Sequence, residues 1–561
     1  MIRILCLSLS LLLAVAGCDS RPAALPEYDL VIRNGTVYDG NGGEGFTADI
    51  AVQGDRVAAI GTIPGTAAQE IDASGLAVAP GFINMLSWAT ESLLEDGRSQ
   101  SDIRQGVTLE VMGEGWSMGP LNEAMKEEAL RLAGDIKYDI SWTTLGEYLQ
   151  HLEDRGISTN VASFVGATTV RIHVLGYEDR PPNEQELARM EGLVAAAMEE
   201  GALGVGSSLI YAPAFYSTTE ELVALSRVAA RYGGRYISHM RSEGAELLEA
   251  VEELVTIARE AGIGAEIYHL KAAGKDNWHK LEAVFQRVES ARAEGLDITA
   301  NMYTYTAGAT GLDAAMPPWV QEGGHDAWVE RLRDPEIRAR VVEEIGQPGD
   351  GWENLYHAAG GAEGMILLGF RNDALKPLTG KTLAEVAASR GTSPEETIVD
   401  LVIEDDSRVG TAYFIMSEEN IAKKIRQPWM AFGSDAESLA PEGVFLKSNP
   451  HPRAYGTFAR LLGHYVREKQ VISLPEAIRR LTALPADNLG LEARGRLQVG
   501  HFADIAVFDP ATIRDHATYA EPHRYATGVQ HVIVNGVPVL LNGEHTGATP
   551  GRAVRKRPGA G

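Results

Sequence analysis

Two short apolar runs in this chain end in a histidine, Tyr236-Ile-Ser-His239 and Ala265-Glu-Ile-Tyr-His269. The histidines lie thirty positions apart, about one strand–helix–strand unit of a parallel sheet. A single histidine ending a buried strand is more often a structural hydrogen-bonding residue. Two imidazoles carried by the C-terminal ends of adjacent parallel strands face one crevice, and neutral imidazole is a common metal ligand. The pair therefore points to a metal site.

The elements that must position them follow from periodicity. Asn183 to Glu200 puts Leu187, Met190, Leu193, Val194, Ala197 and Met198 on one helical stripe, closed by Gly201. Leu203 to Leu209 reads as a strand, and Thr218 with Glu221 as a capping box opening the next helix. That helix stops at Gly233-Gly234 before the His239 strand. Ala245 to Ala261 precedes the His269 strand, and Trp278 to Glu294 precedes Ile298 to Tyr303. Four such alternations predict an α/β fold with a (β/α)8 barrel, and no glycine-rich phosphate loop supports a doubly wound sheet.

Short strand-like runs with turn pairs such as Asn34-Gly35 and Gly54-Asp55 occupy the beginning, and Asp504 to Phe508 and Val529 to Asn535 repeat that texture near the end. They predict a small β-sandwich built from both chain ends. The expected division is 28–80 plus 490–548 for the sandwich and 81–489 for the barrel. An insertion is expected at about 308–371, where the alternation breaks into Trp, Pro and paired Gly; lid and passive excursion are equally open readings.

The 561 residues carry a formal net charge of −27, which argues against a nucleic-acid partner. The basic run Arg552 to Arg557 reads as a solvated tail. Arg3 and the apolar run Ile4 to Val15 suit a signal peptide over 1–17. Val15-Ala-Gly-Cys18 resembles a bacterial lipobox, which implies lipidation of Cys18 and a linker to residue 27. Asp19 after that cysteine implies retention at the periplasmic face of the inner membrane. The membrane would be met through the lipid alone. Cys6 falls in the removed segment, so the mature chain has no internal disulfide. No motif speaks to oligomeric state.

Leu30-Val-Ile-Arg-Asn-Gly-Thr-Val-Tyr-Asp39, Ala79-Pro-Gly-Phe-Ile83 and Gly500-His-Phe-Ala-Asp-Ile-Ala-Val-Phe508 resemble the amidohydrolase superfamily. Leu209-Ile-Tyr-Ala-Pro213, Ser238-His-Met-Arg241, Gly433-Ser-Asp435 and His451-Pro-Arg-Ala-Tyr-Gly456 resemble its D-aminoacylase (N-acyl-D-amino-acid deacylase) branch. The similarity runs from about residue 28 to 545. It implies a metal-dependent amide hydrolase, with zinc as Lewis acid and activator of water. Asp435 matches the family's general base, Arg453 its grip on the substrate carboxylate, Lys271 a cation near the scissile group, and Tyr211 a hydrogen-bond donor to substrate or oxyanion.

The chain departs from the family after Gly81-Phe-Ile83. Where an acidic residue and His-x-His bind one of two metals, this sequence has Asn84-Met-Leu86-Ser-Trp88, and neither Leu86 nor Trp88 can ligate. A single zinc on His239, His269 and one more ligand is expected. The family's cysteine turn corresponds to Val111-Met-Gly-Glu114-Gly, which makes Glu114 the nearest candidate, with Glu91 a weaker contender. His451 and His173 are read as structural. The leading function is N-acyl-D-amino-acid deacylation of a small substrate. A dipeptidase or broader amidase on D-configured or peptidoglycan-derived amides, and an inactive barrel serving as an extracytoplasmic binding lipoprotein, are the alternatives.

Overall fold

The structure is a computed structural model that describes residues 27–556. The expected signal peptide, Cys18 and most of the linker lie outside the described residues.

The middle of the chain carries eight parallel strands in sequence order: β1 (Phe82–Asn84), β2 (Val107–Met112), β3 (Asn160–Ser163, resuming at Val165–Gly166), β4 (Gly204–Ser208), β5 (Arg235–His239), β6 (Gly264–Ile267), β7 (Ile298–Met302) and β8 (Met430–Phe432). β1, β2 and β3 form one sheet, and Val165–Gly166 through β8 form another. The two meet at Phe164, whose N–H donates to Met112 O at 2.9 Å. At the other end Met85 N–H donates to Phe432 O (3.1 Å), Asp435 N–H to Leu86 O (2.9 Å) and Trp88 N–H to Ala436 O (2.9 Å). Every residue of β2, β4, β5 and β7 is buried, as expected of parallel strands covered on both faces.

Helices fill the connections where the sequence places them, including Glu184–Glu199, Thr219–Arg231, Leu247–Ala261 and Leu281–Ala293. The expected capping box at Thr218 is only half present. Thr218 accepts from Glu221 N–H, but the Glu221 carboxylate turns away to Arg171 (2.6 Å) and Ser217 (3.0 Å). A buried guanidinium outcompetes a backbone N–H for that charge.

Both chain ends join in one nine-stranded sheet. Ile505–Phe508 pairs antiparallel with Ala77–Pro80, which pairs parallel with the second half of Tyr28–Val37. The first half of Tyr28–Val37 pairs instead with Ala67–Asp72. All nine strands are hydrogen-bonded into a single branched sheet, with a register shift between Ile32 and Gly35. Leu30, Ile50, Val78, Ile505 and Ile533 share its core.

The excursion after β7 is longer than the sequence suggests. Gly308–Gly311 pairs with Gly410–Tyr413, which pairs with Met365–Gly369, so the body expected to end near 371 continues to Tyr413. The boundary was hidden because its last strand is separated from the rest by two further helices, Leu383–Arg390 and Pro394–Asp405.

Gly113, the residue after β2, has φ +102, and an added Cβ would lie 2.3 Å from Phe164 O. Gly113→Ala is therefore expected to cost about 2–4 kcal/mol, from left-handed strain plus overpacking. A lower urea midpoint at unchanged m-value checks this; an unshifted midpoint contradicts it.

Candidate active site

The strand ends bring distant residues to one crevice. His239 is the last residue of β5; His269 follows β6, Tyr303 follows β7, Glu114 follows Gly113 after β2, and Asp435 follows β8. His269 (φ +35) and Asp435 (φ +50) have left-handed backbones, which cost about 1–3 kcal/mol each for side-chain-bearing residues. His269 is held there by its N–H donating to Asn301 Oδ1 (2.8 Å), and Asp435 by its N–H donating to Leu86 O. Asn84 fixes the neighbouring loop: its side chain accepts from Ser434 N–H (2.8 Å) and donates to Ser434 Oγ (2.8 Å).

Glu114 is the centre of the cluster. Its Oε1 lies 2.7 Å from His269 Nε2 and 3.4 Å from His239 Nδ1, and the imidazole centroids are 4.5 Å apart at 81°. Its Oε2 accepts from Trp88 Nε1–H at 3.1 Å. One ligand atom from each of Glu114, His239 and His269 lies within 4.8 Å of the other two. His239 Nε2 is buried without a hydrogen-bond partner. Two nitrogens and a carboxylate so gathered fit a divalent cation of the His₂Glu type. His269 Nδ1 lies 3.0 Å from Glu243 Oε1, the carboxylate behind a histidine that fixes its orientation in metal sites. The sequence reading missed Glu243, although it stands four residues after His239.

Charges around this centre alternate. Burial works to raise the Glu114 pKa, but the two histidines hold it well below the usual carboxylate range. Burial lowers His239, favouring its neutral form. For His269, burial and Lys271 oppose protonation, yet Glu114, Glu243 and Asp435 outweigh them and raise it to about 9.

The other expected residues are present with partners the sequence did not show. Lys271 Nζ donates to both oxygens of Glu243 (2.7 and 2.8 Å) and lies 2.6 Å from His269 Nδ1. Its charge is thus taken up within the cluster rather than offered freely to a substrate. Arg453 Nη1 is 2.7 Å from Asp435 Oδ2, but off the line of a hydrogen bond; its Nε and Nη1 hydrogens remain unpaired. Burial raises the Asp435 pKa against the opposing charges of Arg453 and His269. Tyr211 sets its ring edge-on to His239 (5.2 Å) and beneath Arg408 (4.9 Å).

His451 accepts from Arg453 N–H, lies 3.0 Å from Ala307 O and lines the same cavity as the cluster. Glu91 is engaged by the Tyr138 hydroxyl at 2.7 Å and stands outside the ligand cluster. Two further groups went unread. Tyr303 is buried with an unpartnered hydroxyl, its ring 4.6 Å from the Arg453 guanidinium; its position at the end of a predicted strand was the available signal. Glu353, from the excursion, accepts from Glu243 N–H at 2.7 Å, and burial with the nearby Glu243 charge pushes its pKa up to about 8. No local pattern marks it.

Glu114, His239, His269, Tyr303, Asp435 and Arg453 line a cavity of about 750 Å³. Met118, Leu121, Met125, Leu132 and Ile172 add apolar side chains to its wall.

A cation bound to His269 must displace the proton that this imidazole holds up to about pH 9. Binding at pH 7 is therefore expected to release roughly one proton, and affinity to rise with pH from 6 towards 9. Titration calorimetry in buffers of different ionisation enthalpy measures the count. Buffer-independent heats would remove His269 from the ligands.

The sequence profile of the Amidohydrolase family matches residues 69–540. A D-aminoacylase of Alcaligenes xylosoxydans xylosoxydans is 33% identical over 543 residues, covering 96% of this chain and 99% of that protein. The solved structure of an N-acyl-D-glutamate deacylase from Bordetella bronchiseptica, complexed with zinc and a phosphonate mimic of the tetrahedral intermediate, is similar with a TM-score of 0.79 at 29% identity, covering 94% of this chain and 99% of that one. A D-aminoacylase structure, described with a binuclear metal centre, one-metal activation and second-metal attenuation, has a TM-score of 0.78 at 31% identity, covering 94% and 100%.

Proposed function

The chain belongs to the amidohydrolase family, and from that premise we propose that it is a zinc-dependent amide hydrolase that splits N-acyl-D-amino acids into a carboxylate and a free D-amino acid. The observation that carries the reading is the convergence of Glu114, His239 and His269 beside Asp435. The names of its full-length relatives supply the substrate class. In this reading the eight parallel strands close as a (β/α)8 barrel and the terminal sheet folds over its core as a sandwich. The 81–489 and terminal segments are the corresponding domains.

Zinc held by Glu114, His239 and His269 would supply Lewis acidity and ease the deprotonation of water. Asp435, beside that site, would be favoured by the neighbouring positive charge in the carboxylate form that a base requires. Asp435 then takes the proton of the attacking water and delivers it to the leaving nitrogen. Tyr303, and Tyr211 beside His239, are placed to donate to the developing oxyanion. Arg453, with its unpaired hydrogens, binds the substrate carboxylate. Lys271–Glu243 and Arg453–Asp435 offset each other, so a dication on Glu114 would leave these five groups with one net positive charge beside Arg453, which suits the carboxylate of an anionic substrate.

One observation favours the dipeptidase alternative. Glu91 and Glu437 line the same cavity, and burial and Glu91 push Glu437 up to about 7. Such a pair would welcome the ammonium of an aminoacyl group.

The purified protein is expected to carry about one zinc per chain. Glu114→Ala should lose zinc and activity together, while Asp435→Asn keeps zinc and loses about 10²–10⁴-fold in kcat. Normal zinc content in Glu114→Ala would take Glu114 out of the site. Hydrolysis of N-acetyl-D-amino acids beside X-D-dipeptides decides between the substrate readings, and zinc without turnover of any amide would favour the inactive barrel.

We also propose that Cys18 anchors the enzyme by lipid to a bacterial membrane, facing away from the cytoplasm. Among the described residues no helix is long and apolar enough to cross a membrane. Cys18→Ser should move the protein from the membrane to the soluble fraction; its staying with membranes would defeat the proposal.

A further inference from the structure

Trp88 stands in the second position of the missing His-x-His motif, and it does more there than fill space. Its indole Nε1–H lies between two carboxylates, 3.1 Å from Glu114 Oε2 and 3.2 Å from Asp435 Oδ1. The remaining oxygens have other partners: Glu114 Oε1 meets the histidines, and Asp435 Oδ2 meets Arg453. Trp88 is thus the donor between the two inner oxygens. Both carboxylates are buried, so without a donor in that gap their mutual repulsion would be unrelieved.

A cation bridging Glu114 and Asp435 would have to occupy the place of this N–H. Indole nitrogen is a donor only and offers a metal no lone pair. Leu86, in the first position of the motif, is fully buried and equally unable to ligate. We infer that Trp88 makes this a one-cation site, its N–H standing in for a second divalent ion between Glu114 and Asp435 and excluding that ion. Trp88 is a positioning residue: it acts through the two carboxylates it holds in register. The D-aminoacylase that this chain resembles is described with attenuation by a second metal; this chain has the geometry to escape it.

The exclusion of a second cation does not depend on the substrate, whereas the positioning role rests on the hydrolase reading. Two measurements keep them apart. In equilibrium dialysis against excess Zn²⁺, the wild-type protein should retain one tight equivalent, and Trp88→His, with Leu86→His/Trp88→His beside it, should gain a second. Where an N-acyl-D-amino acid is turned over, excess Zn²⁺ should leave wild-type activity unchanged and depress that of the histidine variants. Trp88→Phe, which has neither N–H nor lone pair, should keep one zinc and a KM within a few-fold, with kcat at least about tenfold lower, the scale of losing a support behind a metal ligand.

A second tight equivalent in the wild type overturns the exclusion, whatever the activity. Unchanged kcat in Trp88→Phe, in a protein with wild-type circular dichroism, overturns the positioning role. Should the histidine variants not fold, the wild-type dialysis and the Phe variant still decide both points.

Discussion

A carboxylate buried at the crossing of several strand ends has to find a positive or donating partner for each lone pair, and the site of this protein is organised by that requirement at Glu114. His269 and His239 approach one oxygen and Trp88 the other. The demand propagates outward. His269 is backed by Glu243, Glu243 by Lys271 through both oxygens, and the Glu243 backbone N–H by Glu353. On the opposite side Trp88 links Glu114 to Asp435, and Asp435 meets Arg453. The sequence of alternating charges is what lets so many ionisable groups stay out of water.

Such a network needs its members held at fixed places, and the backbone supplies this at some cost. His269 and Asp435 sit in left-handed conformations, just past their strands, where each is tied down by a hydrogen bond from its own N–H. Asn84, at the position where the family resemblance implies an acidic residue, clamps Ser434 and so the loop that presents Asp435. The first strand and the residues just after it carry no histidine yet organise the site through Asn84 and Trp88. Strain concentrated at these positions, in a frame that over-determines them, is consistent with a site built to bind rather than to be stable.

The long excursion after β7 belongs to this economy of charge as well. Glu353 reaches Glu243, and Arg408, paired with Asp313, covers the ring of Tyr211. The excursion thus contributes groups to the cavity wall as well as to the outer surface. Its body continues through Gly410–Tyr413, a strand whose partners are Gly308–Gly311 and Met365–Gly369. Pairing across a hundred residues leaves no periodic trace, so the segment's full length emerges only in space.

The sequence by itself determined the alternation of strands and helices, the use of both ends in one β domain, and the thirty-residue spacing of His239 and His269. With the family resemblance it also singled out Glu114, Asp435, Arg453, Lys271 and Tyr211. These are properties of local pattern and motif, and they survive folding because periodicity decides which residues end a buried strand. Who partners whom was decided by tertiary structure alone. Trp88 with Asp435, Glu353 with Glu243 and His269 with Glu114 are separated by 347, 110 and 155 positions. Electrostatic and hydrogen-bond energies depend on distance and direction in space, and only the packed strands bring those atoms within 3.2 Å of one another. That is why a tryptophan that looked like the loss of a ligand proves to be the donor between two acids.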